Sequence, residues 1–330
     1  MRRVLVGLLG LVGLLELAAL ATPAGQGRER AAAQPAAQKP APSQKAPAAQ
    51  PANDAKLDLD AVRDALLTVI NAQRAQVGAP PVALDALASE VAAAHALDMA
   101  QHNYLSHWNR DGWLPYLRYG LRGGTDYSAE NVSMLSGLSP RATLAEVRAA
   151  ALRLHQLMHD ETPPNDGHRR TILNPEHTHV GLGLAVVGKE LRLAQEFLSR
   201  YVRLDPLPAK ARPTDRLTVV GRMLDPAEFQ FYGALARHEP LPQPMTVDQL
   251  RQPRAYALPE KSRLLKPRLA DGAQYDDGTT GDIEIGPGGR FTLELDFPKR
   301  APGIYTTVIF IQRGLTGNPF PAASLSVWVE

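Results

Sequence analysis

The sequence of 330 residues contains no cysteine. That absence excludes disulfide staples, thiolate zinc sites, iron–sulfur clusters and a cysteine nucleophile, so any metal must be held by histidine and carboxylate. A surplus of charge is missing as well: 36 lysines and arginines face 34 aspartates and glutamates, and from residue 56 onward the balance is 30 to 31. The folded part thus lacks the basic excess that binding a phosphate backbone demands, and nucleic acid is not expected as a partner. There is no phosphate loop, no dinucleotide fingerprint and no glycine-x-serine-x-glycine elbow, and Ser106 alone among the serines adjoins a histidine. No repeat recurs at solenoid periods. What is present is length and apolar content, 44% of the chain, sufficient for two ordinary cores.

Only the N-terminus carries a long apolar run. Arg2 and Arg3 precede Val4 to Leu15, and Ala19-Leu20-Ala21 supplies the small residues that signal peptidase requires, so residues 1–21 read as a secretory signal. Glu16 interrupts the run before it reaches the roughly 20 apolar residues of a membrane anchor. After cleavage no transmembrane anchor is expected, and the protein is expected to be secreted, extracellular or periplasmic. Residues 22–55 read as a disordered spacer: from Ala31 to Ala52 the chain holds ten alanines, five prolines and four glutamines, with nothing larger and apolar to bury.

The remainder has an α+β pattern. Helical periodicity begins at Asp58 or Asp60, with Val62, Leu66, Val69 and Ile70 three and four apart, and Gly78, Pro80 and Pro81 end it. A second helix is predicted from Asp85 to His102 on an alanine-rich body, and a third from about Pro140 to Met158. Alternating Val180, Leu182, Leu184 and Val186, with a partner from Leu191 to Val202, predict strands, so residues 56–203 read as helices packed on a sheet. Pro206, Pro208 and Pro213 then punctuate a linker. Six further strands are predicted at Leu217 to Val220, Phe229 to Leu235, Ile283 to Ile285, Phe291 to Phe297, Ile304 to Ile311 and Leu325 to Val329. Pro287-Gly288-Gly289 forms a hairpin turn among them. Residues 204–330 are expected to fold as a small β-sandwich compatible with an immunoglobulin-like arrangement.

Eight of the nine histidines lie between His95 and His179, which directs attention to the first region. His95, Asp98 and His102 share adjoining faces of the second helix, and His155 and His159 stand four apart on the third. Both sets have ligand-like spacing, yet satisfied surface or core histidines have the same spacing. His107, Glu130 and His168 differ in that each is expected in a loop dense in glycine, asparagine or aspartate.

Those loops carry a resemblance. Ile70-Asn71-Ala72-Gln73-Arg74, His95 to Ala100, Ser106 to Gly112, Ala129-Glu130-Asn131-Val132, Asp166 to Pro175 and Thr178 to Gly183 occur in order over about residues 58–203. Together they resemble the bacterial branch of the CAP superfamily, which groups cysteine-rich secretory proteins, antigen five and pathogenesis-related proteins. The resemblance implies a CAP-type α-β-α sandwich with an open cleft in which two histidines and one or two acids converge. By position these are His107, His168 and Glu130, with Ala129 standing where the family commonly has glycine. A second family acid has no secure counterpart; Asp160 and Glu161 are the candidates.

Chemically, His107 and His168 could supply two nitrogen ligands to zinc or another divalent metal at about 2.0 Å, a set that holds an ion weakly. Glu130 could orient an imidazole or act as a base toward bound water, or all three could simply pin the loops together. Arg118, Arg169 and Asn174 read as loop stabilisers. Trp108, Trp113, Tyr116 and Tyr119 read as either an aromatic rim or core. The leading expectation is non-catalytic binding of an extracellular small molecule, lipid, sterol or cell-envelope component. A metal-dependent hydrolase, with Glu130, His107 and His168 as its catalytic candidates, and adhesion through the β region are the alternatives.

Overall fold

The computed structural model describes residues 58–254, 256, 262–297 and 300–330. The expected signal segment 1–21 and spacer 22–55 lie outside the described residues. Helix α1, Leu59–Gln76, starts where the Asp58 side chain accepts the Asp60 N–H, and it buries Val62, Leu66 and Ile70 along one stripe. Two residues of the Ile70–Arg74 motif then tie the first unit together. Asn71 exchanges two hydrogen bonds with the Val82 backbone at 3.0 and 2.8 Å. The fully buried Arg74 guanidinium donates to the carbonyls of Pro80, Ile172, Asn174 and His177.

Helix α2, Ala86–His102, is capped by Asp85, which accepts the Ala88 N–H at 2.7 Å. The short helix α3 is Pro115–Gly120, and α4, Leu144–His159, opens with a capping box of Thr143 and Glu146, so the sequence between Pro140 and Thr143 is a turn leading into it. Helix α5, Gly167–Leu173, completes the set. The sheet has order β1-β3-β4-β2, from Ala83–Leu84, Tyr127–Ser136 (β2), His179–Val187 (β3) and Glu190–Ser199 (β4). Strand β1 runs parallel to β3 and the other pairs are antiparallel, leaving β2 as a free edge.

Alternate residues of each strand face opposite sides. Val180, Leu182, Leu184, Leu191, Leu193 and Phe197 face α1, α4 and α5 in one apolar cluster. Helix α2 lies on the other face, and its alanines explain how closely: a Cβ on Gly183 would sit 2.0 Å from the Ala92 carbonyl carbon. The first unit is thus an α-β-α arrangement of three layers.

The second unit begins earlier than the sequence suggests. Val202–Leu204 (β5) pairs with Leu217–Met223 (β7), so Val202 and Arg203 belong to its sheet and the division falls near Arg200 and Tyr201. Four strands are ordered β10-β11-β7-β5 and five β6-β13-β12-β8-β9. They comprise Lys210–Ala211 (β6), Phe229–Glu239 (β8), Arg263–Leu265 (β9), Ile283–Ile285 (β10), Arg290–Leu295 (β11), Gly303–Arg313 (β12) and Phe320–Val329 (β13). The two sheets share one cluster, in which Phe231 of β8 meets Phe291 of β11 with ring centroids 4.8 Å apart. Pro287–Gly289 turns β10 into β11, with Gly288 and Gly289 at φ of 65° and 72°.

Candidate functional site

Glu130 lies in the middle of β2 and not in a loop, and His168 lies in the first turn of α5; of the three predicted site residues only His107 is in a loop. The strand was hidden because polar residues are buried on both of its faces: Glu130 and Asn131 are consecutive and both buried, which erases the apolar alternation that marks a strand.

Glu130 Oε1 meets His107 Nδ1 at 2.9 Å, and Oε2 takes a hydrogen bond from Arg118. Arg118 also donates to the carbonyls of His107 and Trp113 at 2.6 and 2.9 Å, so it both pins the loop and neutralises the acid. Directly across the β2–β4 register stands Glu196, with a carboxyl oxygen 3.8 Å from Arg118. Both glutamate side chains are wholly inaccessible. Burial and the neighbouring Glu130 carboxylate hold Glu196 well above the usual carboxylate range. Burial raises Glu130 as well, with Arg118 pulling against it. Glu130 is therefore the member of the pair whose charge Arg118 balances.

His95 of α2 completes this face. Its Nε2 donates to the Ser106 carbonyl at 2.8 Å and lies 4.0 Å from Glu130, whereas Asp98 and His102 pair with each other and with Tyr104 and Arg110. The helix trio is therefore two separate structural contacts. Burial, then the Arg118 charge, lowers His107 to about 4, and the same two causes hold His95 well below 6.5, so both rings are neutral at pH 7. A carboxylate at Nδ1 makes that nitrogen of His107 the protonated one and leaves Nε2 as a bare lone pair.

His168 repeats the design on the opposite face. Its Nδ1 meets Glu161 Oε1 at 2.5 Å, and its backbone N–H donates to Glu161 Oε2 at 2.9 Å. Of the two candidate acids, Glu161 makes this contact; Asp160 is exposed and pairs with His159 and Gln156. Asn131 joins the two halves, donating to the His168 carbonyl at 3.1 Å. Glu130 and Asn131 are consecutive, so their side chains leave β2 on opposite sides, with His107 and His168 flanking the edge strand.

Neither imidazole Nε2 has a hydrogen-bond partner among the described residues. Each ring therefore has one nitrogen able to accept a ligand, and the two nitrogens belong to rings on opposite sides of β2. Among the described residues, no group of three or more histidine, aspartate or glutamate side chains is arranged to hold a metal. A cavity of about 470 Å³ adjoins the site behind Arg118 and His95, walled also by Asp98, Asn109 and Trp113.

The other sequence candidates have structural partners. His155 is buried between Gln73 and Gln195 at 2.7 and 3.0 Å. Arg169 donates to the His159 carbonyl and Asn174 accepts the Glu176 N–H, each tying a loop. Of the aromatics, Tyr119 is core, its hydroxyl on Asp126. Tyr116 bonds Glu239 and Trp113 meets Trp328, which joins the first unit to the second. Tyr256, which in the sequence reads only as a residue compatible with an immunoglobulin-like fold, belongs to this site: from the second unit, its hydroxyl accepts the Glu130 N–H at 3.2 Å and its ring stands edge-on to His107 at 4.7 Å. Nothing near it in the sequence points to this site. Glu196 did leave a trace, as a charge beside Gln195 in a strand that also carries Arg192.

Residues 67–197 match the profile of the Cysteine-rich secretory protein family, CAP, so this part of the chain is a CAP domain. No curated protein matches. Among solved structures, an extracellular protein containing an SCP domain from Bacillus anthracis is similar at 24% identity and TM-score 0.34, over 46% of this chain and 45% of that one. An outer surface protein from Borrelia burgdorferi matches at 16% identity and TM-score 0.34, over 43% of this chain and 96% of its own. A cysteine-rich secretory protein from Staphylococcus aureus matches at 16% and 0.28, over 46% and 40%. The chain thus spans less than half the length of the Bacillus and Staphylococcus proteins.

Proposed function

We propose that this is a secreted bacterial CAP-domain protein that acts by binding. Its ligand is an extracellular lipid, sterol or cell-envelope component taken beside β2 at His107, Glu130 and His168, with a weakly held divalent ion such as zinc as an optional bridge. The observation that carries this reading is the orientation of the imidazoles: each is held at Nδ1 by its own glutamate, which leaves Nε2 for a ligand. Both oxygens of Glu130 are engaged and its side chain is cut off from solvent, so it orients and does not stand ready to take a substrate proton. This favours binding over hydrolysis. When bound, an ion would supply Lewis acidity to a coordinated oxygen. Secretion rests on the signal-like residues 1–21, and the two-sheet unit is read as an immunoglobulin-like β-sandwich that carries the CAP domain.

The test is calorimetric titration of the full chain with zinc, and separately with lipid, sterol and muropeptide panels, on wild type, His107→Ala and His168→Ala. Weak zinc or ligand binding that either substitution removes is the expected result. A folded protein that binds none of them overturns the proposal, and turnover of a peptide or glycan library that Glu130→Gln abolishes would replace it with the hydrolase.

A further inference from the structure

After β8, residues 240–254 and 256 leave the second unit and cross the first. Pro240, Pro242 and Pro244 restrict the start of this excursion to extended backbone. Gly112 gives it passage, since a Cβ there would lie 2.3 Å from the Gln243 carbonyl oxygen. Met245 then donates its N–H to the Arg110 carbonyl at 2.8 Å. A capping box of Thr246 and Gln249 opens the single turn α6, Val247–Leu250, which delivers a fully buried Leu250 into the cluster of Met99 and Tyr104. Arg251 donates from Nε and Nη2 to the Asn103 carbonyl at 3.1 and 3.0 Å. Arg254 lies 5.3 Å over the Trp108 ring. Two residues later Tyr256 reaches the free edge of β2, against His107 and with its ring centroid 6.5 Å from that of Trp108.

We propose that this strap is an intramolecular occupant of the His107–Glu130 site: Tyr256 covers the His107 ring, and anything that approaches His107 from the β2 edge must displace it. Anchors at Gln243, Met245, Leu250, Arg251 and Arg254 make it a docked segment with a defined end. The exposure pattern agrees: the His107 side chain is 18% exposed, while that of His168, on the other side of β2, is 34% exposed. The inference concerns access alone and stands or falls independently of what the site binds.

The experiment is acylation of the full chain by diethyl pyrocarbonate at neutral pH, with modified histidines mapped by mass spectrometry. His107 is neutral there, so its rate reports access and not protonation. Tyr256→Ala is expected to raise the His107 rate about tenfold or more, as removal of a closed state populated more than about nine-tenths of the time requires, and to leave His168 unchanged. Tyr256→Phe, which keeps the ring and loses the hydroxyl, raises it less. Arg251→Ala loosens an anchor without altering Tyr256 and is expected to shift the His107 rate in the same direction, which keeps the test open should Tyr256→Ala fail to fold. Equal His107 rates in wild type and in every variant that folds overturn the assignment.

Discussion

Replacing Arg118 by methionine removes the guanidinium that faces the buried carboxyl pair and keeps most of the apolar stem. The Arg118 side chain is 7% exposed, and those of Glu130 and Glu196 not at all, so water cannot take over its role. The substitution also strands the His107 and Trp113 carbonyls it bonds. Removing one partner of a buried ion pair costs about 3–5 kcal/mol, whereas the same change in an exposed pair costs below about 1 kcal/mol. For a unit of this size that loss lowers Tm by roughly 10 °C. Urea unfolding followed by tryptophan fluorescence reads it, because Trp108 and Trp113 lie in the same loop region. Adding Glu130→Gln removes the stranded charge, so the double variant should lose less than the sum of the singles by at least about 1 kcal/mol. A loss below about 1 kcal/mol, or strict additivity, would refute the idea that this face is an electrostatically closed unit.

Gly183→Ala should destabilise at the upper end of the about 1–3 kcal/mol that overpacking costs, because the new Cβ meets α2 backbone and not a movable side chain; an equally stable variant in urea would contradict the close packing of α2 on β3. Burial holds His155 at about 4 and His177 at about 3, below the ordinary 6.5. At these two histidines the unfolded chain therefore binds more protons below pH 6.5, so their contribution to stability is level above that pH and falls as pH drops toward 4. His155→Gln should flatten this fall in urea midpoints measured across the range, and an unchanged slope would show that His155 protonates freely in the folded state. Glu161→Gln should weaken any zinc binding about 10–100-fold, with stability changed by less than about 0.5 kcal/mol, since it loosens only the orientation of His168; calorimetry and urea unfolding of the same sample check both.

The helices of the first unit were legible because each carries a cap and an apolar stripe: Asp58 with Val62, Leu66 and Ile70, and Asp85 with its alanine ladder. Strand β2 was not, since the site's own polar residues, Glu130 and Asn131, are among those it buries. Strand β13 was legible only from Leu325 onward, because Pro321, Ala322 and Ala323 dilute the β-branched signal that its start would otherwise give. The motif order located His107, Glu130 and His168, and the structure gives the first two a direct contact while His168 bonds to a separate acid across the edge strand. What no local pattern encodes is convergence from afar. Tyr256 reaches Glu130 across 126 positions and Glu196 faces it by strand register, and neither follows from spacing, periodicity or composition.

The most direct measurement is the histidine tautomer pattern from long-range nitrogen–proton NMR correlation at neutral pH. His107, with Nδ1 on a carboxylate, should carry its proton at Nδ1 and show a bare Nε2, while His95, whose Nε2 donates to the Ser106 carbonyl, should show the opposite tautomer. A His107 protonated at Nε2, or on both nitrogens, would contradict the claim that Glu130 presents this ring to a ligand.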